Sequence, residues 1–456
     1  MAHRRLASGL PALAGLALAC HAAADTVPPA GMLVETVPNS YCFVSAPTCD
    51  TGPEIVVTSQ GVPVIVGKNH PNSAGLFTRG PTGWSCDEFA YGSDTAPYEQ
   101  HLAIGPDDGI HAAWGQSLYQ RIYHAARRAT WDEYDGVIAF GAQIQAAVDG
   151  AGHPALVYGS PLTYGIKAES GWGFEPVATE GMQAGRSLAF DSLLRPWISY
   201  GDAVAHDLLM THKDAGAWIP ELVDSAGDVG NENSLALDAQ DRPHIVYWDA
   251  TNARLKYARL DGSQWQIEAI PTGADTPGPH ASLQLDASGD AHVIYYNATR
   301  GDLEYAVRRS GRWYGAALDT LGDVGQVPSL FIDGTGQLHV AYADRANQRI
   351  KYARRYLAVD VGSGRPRAGA SLGVPAPNPV RGGIAAFSLR FEDTGAAALR
   401  VYDLRGRLVA SRSLGDLPGG EHRLRWDTGI RAPGLYFVRL ETPAGVTPAR
   451  RWVVAP

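Results

Sequence analysis

The chain has 456 residues, of which 52 are glycine and 30 are proline, and its formal net charge is −9. No long segment repeats apolar residues at helical spacing. Short runs rich in Val, Ile, Tyr and Trp instead alternate with turn residues, which predicts an all-β protein. Region 25–374 carries 24 basic and 40 acidic residues, a balance of −16, and this charge disfavours nucleic acid and polyanionic glycans as partners.

The N-terminus is typical of a secretory signal peptide. Basic residues precede a short apolar stretch, and Ala22–Ala24 offers small residues for cleavage. We predict that residues 1–24 are removed on export. An alternative is a lipoprotein signal, in which Cys20 is lipidated. No other apolar run approaches the ~20 residues of a membrane helix, so no transmembrane segment is predicted.

Three cysteines remain after such a cleavage. Cys42 and Cys49 flank a short polar loop and are predicted to form a disulfide in an oxidising compartment. Cys86 is then the odd thiol, which we interpret as a small apolar side chain rather than a nucleophile. No Cys/His spacing resembles a zinc site, so neither a metal nor a cofactor is predicted.

An internal repeat is the strongest signal in the sequence. The segments 234–258, 282–306 and 329–353 align without gaps, and four weaker copies precede them. Each repeat reads as four short strands, with a period of 41 to 48 residues, which is typical of a propeller blade. The sequence therefore predicts a seven-bladed β-propeller over residues 25–356. A tryptophan opens the fourth strand in six repeats: Trp84, Trp131, Trp172, Trp218, Trp265 and Trp313.

The seventh repeat stops near Arg355 and has no fourth strand of its own. Residues 32–38 align with the fourth strands of other repeats. Because an open ring leaves unpaired strand edges, we predict that residues 32–38 pair into the last blade and close it.

Four histidines recur at one blade position: His111, His244, His292 and His339. We interpret them as scaffold, because each repeat must bury the same faces. The turns before several fourth strands also resemble, in position only, the Asp boxes of sialidase-type propellers. The full box is absent, so no sialidase catalytic residue is assigned.

Residues 357–374 are rich in Gly, Ala, Ser, Arg and Pro and are predicted to be a linker. Residues 375–456 alternate apolar residues between turns, which predicts an immunoglobulin-like sandwich. Its motifs are Pro377-Asn-Pro379, Tyr402-Asp-Leu-Arg-Gly-Arg407, Trp426-Asp427 and Gly434-Leu-Tyr-Phe-Val-Arg-Leu440.

These motifs resemble the type A sorting domain of the type IX secretion system and the related domain of flagellar hook-capping proteins. The resemblance implies export by the type IX machinery, with display at the outer cell surface or secretion. Val380 departs from the Phe common after Pro-Asn-Pro, and the terminal run lacks lysine. The alternative is an ordinary immunoglobulin-like spacer.

One face of a propeller collects the loops between second and third strands together with the blade connections; we call it the loop face. Asp202, Asp249 and Asp344 follow second strands, and with His206 and His280 they are the predicted ligand-binding residues. An acidic face suits neutral sugars, cations or basic peptides. The alternative is that these acids only cap turns.

Four histidines outside the repeated position are candidate catalytic residues: His70, His101, His206 and His280. A polysaccharide lyase needs a base and a positive group, for which Arg300 and Arg345 are candidates. Two functions therefore remain open. The first is a surface propeller that binds a glycan or protein, and the second is a carbohydrate-active lyase or hydrolase.

Overall fold

The structure is a computed structural model and describes residues 32–40, 52–70, 73–91, 97–116, 120–128, 131–178, 182–356, 370–373, 375–378, 380–381, 383–391, 395–402, 408–442, 445–446 and 450–455. The predicted signal peptide 1–24, Cys20 and the predicted Cys42–Cys49 disulfide lie outside the described residues.

The described part of residues 32–356 forms strands joined by turns. The strands are β1 Met32–Thr36, β2 Glu54–Val57, β3 Pro63–His70, β4 Ser73–Gly80, β5 Gly83–Tyr91, β6 Pro97–Ile104, β7 Ile110–Gln116, β8 Arg121–Arg127, β9 Trp131–Phe140, β10 Gln145–Val148, β11 Pro154–Tyr158, β12 Leu162–Ala168, β13 Gly171–Ala178, β14 Met182–Phe190, β15 Pro196–Asp202, β16 Leu208–Asp214, β17 Ala217–Asp224, β18 Val229–Leu237, β19 Pro243–Asp249, β20 Arg254–Asp261, β21 Gln264–Ala269, β22 Pro277–Leu285, β23 Ala291–Asn297, β24 Asp302–Arg309, β25 Arg312–Asp319, β26 Val324–Ile332, β27 Gln337–Asp344 and β28 Arg349–Tyr356.

These strands form seven four-stranded antiparallel sheets, which are the blades of a β-propeller. Six blades are simple meanders of four consecutive strands, beginning with β2–β5 and ending with β22–β25. The first strand of each blade is the inner strand. It contacts the inner strand of the next blade, and β26 contacts β2, so the ring is closed. The prediction of an all-β, seven-bladed propeller is confirmed.

The seventh blade takes its outer strand from the other end of the chain. Its order is β26-β27-β28-β1, and β1 pairs antiparallel with β28, with Leu33 opposite Arg354 and Glu35 opposite Tyr352. Val37 follows β1 and is fully buried against Ile55 of the first blade. The first described segment therefore both completes the last blade and packs against the first blade.

The recurring histidines belong to a hydrogen-bonded scaffold. In the seventh blade, His339 Nδ1 lies 2.8 Å from the Tyr352 hydroxyl and its Nε2 lies 3.1 Å from Asp333 Oδ2. His292 and Tyr305 repeat this contact at 2.7 Å in the sixth blade. Burial lowers the pKa of both imidazoles. All four recurring rings are buried, and the Nδ1 of each lies within hydrogen-bond distance of a side chain on the third strand of its blade, which agrees with the scaffold interpretation.

A β-sandwich of two sheets follows the propeller in the sequence. Its strands are β29 Ala370–Leu372, β30 Val380–Arg381, β31 Ile384–Phe391, β32 Gly395–Tyr402, β33 Leu408–Leu417, β34 Gly420–Asp427, β35 Gly434–Thr442, β36 Gly445–Val446 and β37 Arg450–Ala455.

The two sheets of the sandwich are β29-β31-β34 and β30-β37-β35-β32-β33, with β36 paired to β35. Phe387 and Trp426 from the first sheet pack with Leu399, Val438 and Trp452 from the second. Aromatic and branched residues at alternating strand positions thus fill one core.

The predicted linker 357–374 overlaps with the sandwich at its C-terminal end. Ala370–Leu372 pairs with β31, and the buried Leu372 belongs to the sandwich core. The Gly- and Ala-rich composition suggested a linker, but small residues are also compatible with a short edge strand. The sandwich therefore includes residues before the predicted start at 375.

Candidate functional site

The inner strands are joined by a ladder of side chain to backbone hydrogen bonds around the channel. Ser187 Oγ accepts from Leu235 N at 3.1 Å, and Ser234 Oγ accepts from Leu283 N at 3.2 Å. Ser282 continues the series to the seventh blade at 3.1 Å, and Ser329 continues it to the first blade at 3.2 Å. The serine hydroxyl at this position accepts a hydrogen bond from a backbone N–H of the next inner strand, and its side chain is small.

We call the equivalent residues of the seven inner strands the ring positions. Strand register defines them as Glu54, His101, Gln145, Ser187, Ser234, Ser282 and Ser329. Four consecutive blades thus carry serine, whereas the first three blades carry larger side chains. Departure from a repeated structural residue marks these three blades as a candidate site.

A cavity of about 230 Å³ lies in the channel at this level. Every blade contributes its ring position and the two residues before it. Because inner strands begin at the loop face, the cavity lies on the loop-face side of the ladder. Its lining consists of residues 52–54, 99–101, 143–145, 185–187, 232–234, 280–282 and 327–329.

His101 lies between two carboxylates of the lining. Its Nδ1 is 2.8 Å from Glu54 Oε1, and its Nε2 is 3.5 Å from Glu99 Oε1. Burial alone would lower the pKa of His101, but Glu54 and Glu99 outweigh that effect and raise the pKa to about 10. The imidazole is therefore protonated at neutral pH. It is unsuited to act as a general base but suited to donate hydrogen bonds.

The two carboxylates also hold neighbouring strands together. Glu54 Oε2 accepts from Leu102 N at 2.7 Å, which replaces the serine contact between the first and second blades. Glu99 Oε1 accepts from Ile144 N at 2.6 Å, which joins the second and third blades. These side chains are thus fixed by backbone contacts before any ligand binds.

Two acceptor atoms of the lining are buried with no hydrogen-bond donor among the described residues. They are Glu99 Oε2 and Gln100 Oε1. Gln100 as a whole is only 4% exposed. Buried acceptors without donors are costly, so these two oxygens of the second blade favour an additional donor group.

A second contact between a carboxylate and a histidine, and a buried guanidinium, lie elsewhere in the lining. His280 Nδ1 is 3.2 Å from Glu232 Oε2, between the sixth and fifth blades. Arg186 donates to Gly159 O at 2.9 Å and to Gln143 Oε1 at 2.6 Å. The cavity is therefore lined by fixed charges of both signs.

The structure brings two of the four candidate catalytic histidines together in this cavity, His101 and His280. His206 is half exposed in a turn outside it, with its Nδ1 3.3 Å from Asp228 Oδ1. His70 ends β3, and its side chain lies outside the described residues. The histidines of the candidate site thus belong to inner strands rather than to the loops after second strands.

The three predicted ligand-binding aspartates are turn-capping residues outside the cavity. Asp249 is fully buried and accepts from Asn252 N and Arg254 Nε at 3.0 Å each. Asp344 is 3% exposed and accepts from Asn347 N at 3.0 Å. Asp202 accepts from the backbone of the turn that follows it, from Val204 N at 2.6 Å. The alternative that acids after second strands cap turns is the better description.

Sequence reasoning missed Glu54, Glu99, Gln100, Glu232 and Arg186. The signal was present in the repeat itself. Aligning the copies places Glu54 and His101 where later repeats have serine. The aspartates predicted to bind ligand follow second strands, and they lie outside the channel.

Cys86 is half-buried and packs beside the seam between the seventh and first blades. Burial raises its pKa to about 11, so the thiol is protonated at neutral pH. Within the described ranges no group of three or more His, Cys, Asp or Glu is arranged to hold a metal ion. No helix in the described part of the chain is long and apolar enough to cross a membrane.

No protein-family profile and no curated protein matches this sequence. Among solved structures, PorZ, a surface component of the type IX secretion system of Porphyromonas gingivalis, is 12% identical with a TM-score of 0.44, over 88% of this chain and 59% of PorZ. This chain therefore spans about three-fifths of PorZ.

Two further solved structures are similar over nearly their whole length. Virginiamycin B lyase from Staphylococcus aureus is 14% identical with a TM-score of 0.48, over 72% of this chain and 99% of the lyase. A fungal alcohol oxidase of the AA5 family, in complex with copper, is 12% identical with a TM-score of 0.49, over 93% and 99%. At such identities the likeness concerns the fold, and the site is argued from this chain's own residues.

Proposed function

We propose that this chain is an exported protein whose propeller binds a glycan in the channel cavity, and whose C-terminal sandwich serves export and surface attachment. The observation that carries the binding proposal is the cavity at the ring positions, with the buried acceptors Glu99 Oε2 and Gln100 Oε1 facing no protein donor within the described residues. Sugar hydroxyls supply such donors.

The size of the cavity supports a short ligand. Its volume of about 230 Å³ falls below the ~300–1,000 Å³ typical of sites for larger organic ligands. One sugar unit therefore suits the channel better than a folded protein segment does. The −16 balance of region 25–374 further disfavours polyanionic glycans.

The second candidate function is a carbohydrate-active enzyme, and the Glu232–His280 pair is the observation that favours it. A carboxylate 3.2 Å from an imidazole is the arrangement that orients a histidine general base. His101 does not fit that role, because it is already protonated at neutral pH. Turnover would thus depend on His280.

A glycan array with the purified full chain tests the binding function, and a reducing-end assay on each bound glycan tests turnover. Gln100→Met removes one buried acceptor and is expected to weaken glycan binding about tenfold. His206→Asn is the matched control, because it changes a loop-face residue outside the cavity. Equal glycan affinity in both variants would contradict the channel site. Release of reducing ends that stops with His280→Asn would establish the enzyme instead.

The export role of the sandwich rests on its motifs and is tested by deletion of residues 370–456. Loss of surface display, with the propeller retained inside the cell, is the expected result. Normal display after the deletion would identify the sandwich as a spacer.

A further inference from the structure

The first two blades meet in the channel at a cluster whose charges do not balance. Glu54, His101 and Glu99 place two carboxylates against one imidazolium. Three of the four carboxylate oxygens have donors: His101 for Glu54 Oε1, Leu102 N for Glu54 Oε2, and Ile144 N for Glu99 Oε1. Glu99 Oε2 has none among the described residues. The cluster therefore carries one negative charge in excess, and Glu99 Oε2 is the carboxylate oxygen that lacks a donor in the part of the chain that the structure describes.

A second acceptor without a donor stands next to it in sequence. Gln100 is 4% exposed and lines the same cavity, and its Oε1 has no donor within the described part of the chain. The pairing of β6 with β7 shifts register between Pro97 and Glu99. From Glu99 onward the register is regular, so the side chains of Glu99 and Gln100 leave opposite faces of the inner strand, and both residues line the channel that this strand borders.

The group that satisfies this pair must donate hydrogen bonds and carry positive charge. A protonated primary amine has three donors and no acceptor, whereas a hydroxyl has one donor and no charge. Hydrogen bonds between an ionised donor and a carboxylate are about twice as strong as neutral ones. The channel is thus better matched to an ammonium group than to a neutral sugar hydroxyl.

The other charged side chains of the lining already have hydrogen-bond or ionic partners. Glu232 pairs with His280 between the fifth and sixth blades. Arg186 donates to Gly159 O and Gln143 Oε1. The acidic balance of region 25–374 adds a long-range attraction for cations.

We infer that the channel site recognises a sugar unit bearing a protonated primary amine, with Glu99 and Gln100 as the residues that bind the ammonium group. This inference rests on the proposed glycan-binding function and adds the chemical class of the ligand. An N-acetylated unit lacks the charge and two of the three donors, so the site discriminates between the free and the acetylated amine.

Isothermal titration of the full chain with glucosamine, N-acetylglucosamine and glucose at pH 7 tests the inference. We expect glucosamine to bind at least about tenfold more tightly than the other two sugars. Glu99→Gln keeps an acceptor for Ile144 N but removes the charge, and it is expected to abolish the preference for glucosamine. Asp202→Asn is the control, because it removes one charge from the same face outside the cavity while its side-chain oxygen still caps the turn; the preference should remain.

Gln100→Met separates charge from hydrogen bonding. It removes a neutral acceptor, so it should weaken the binding of both glucosamine and glucose. The loss should be larger for glucosamine, because its ammonium group makes the stronger hydrogen bond, but the part of the preference that depends on the Glu99 charge should remain. Thermal melting of each variant identifies any that fails to fold. If Glu99→Gln did not fold, equal affinity of the wild-type chain for glucosamine and N-acetylglucosamine would still overturn the inference.

The outcomes distinguish the inference from the function on which it rests. Equal binding of all three sugars would overturn the amine specificity and leave glycan binding intact. Binding of Nα-acetyl-lysine amide, whose side chain carries a primary amine, with no binding of any sugar, would overturn the glycan function and retain the ammonium site. Binding of none of the four probes would overturn both.

Discussion

Glu35 and Arg79 join the two ends of the propeller ring. Glu35 Oε1 lies 2.7 Å from Arg79 Nη2, and Arg79 Nε donates to Glu35 Oε2 at 2.8 Å. Trp84 Nε1 also donates to Glu35 Oε2, at 3.1 Å. The outer strand of the seventh blade is thereby fixed to the third and fourth strands of the first blade.

We expect Glu35→Ala to lower the free energy of unfolding by about 1–3 kcal/mol, because it leaves the partly buried Arg79 without its bidentate partner. Urea denaturation at pH 7 measures the change. Glu268→Ala breaks the comparable contact with Arg308 between two covalently consecutive blades and serves as the control. A Glu35→Ala chain as stable as the wild type would contradict the role of this pair in closure.

The contribution of Glu35 should also depend on pH. The hydrogen bond from Arg79 lowers the pKa of Glu35 below its ordinary value of 4.5. Its stabilisation is therefore present above pH 4.5 and is lost as the pH falls through the lowered value. The stability difference between wild type and Glu35→Gln should accordingly shrink between pH 5 and pH 3. A difference independent of pH would contradict the ionic contribution.

His101 should titrate in the alkaline range. Burial opposes its charge, but Glu54 and Glu99 raise its pKa from 6.5 to about 10. The stabilisation from its charge is then fully present below pH 6.5 and is lost as the pH rises toward 10. NMR of ring-labelled histidine should show His101 still protonated at pH 8, whereas a midpoint near pH 6.5 would contradict the Glu54–His101–Glu99 geometry.

His244 should affect stability and leave ligand binding unchanged. It is buried, and its Nδ1 is hydrogen-bonded to the Tyr257 hydroxyl on the adjacent strand. We expect His244→Ala to cost about 1–3 kcal/mol, because it leaves this hydroxyl without a partner. Thermal melting and glycan titration of the same sample separate the two effects. A variant that melts normally but loses binding would assign His244 to the site.

Asp249 should behave in the same way. Burial opposes its charge, but hydrogen bonds from Asn252 and Arg254 lower its pKa. Asp249→Asn keeps the shape of the side chain and removes the charge facing Arg254, so it should destabilise the fifth blade by about 1–2 kcal/mol. Glycan affinity should not change. A large loss of affinity with unchanged melting would restore Asp249 as a ligand-binding residue.

The repeat made the fold predictable from the sequence. The fourth strand that contains Trp265 begins just after the chain reverses at Gly262, which has a φ of 64°. Glycines with positive φ also precede Trp172 and Trp313. The need to pair the last blade's edge likewise pointed to residues 32–38, and the structure pairs Met32–Thr36 there.

The candidate site was only partly predictable. His101 and His280 were singled out because they stand outside the repeated histidine position, and both line the cavity. The roles of Asp249 and Asp344 could not be decided from the sequence, because an acid after a strand has the same sequence whether it faces a ligand or closes its own turn. Only the bonds from Asn252 and Asn347 distinguish the two cases. Glu99 contacts residues of other blades, and the local sequence around Glu99 does not reveal such contacts.

Closure by the N-terminal strand makes the last step of folding a long-range one. Ile350 N donates to Ser40 Oγ at 3.0 Å across 310 residues of sequence. A chain that emerges N-terminus first can therefore assemble six blades while β1 has no partner, and the ring forms only after β28 is available. Contacts of such separation form slowly. Until then, β1 of one copy and the edge of β28 in another are complementary, so two incompletely closed molecules can exchange their first strands and reach a dimer with the same contacts as the monomer.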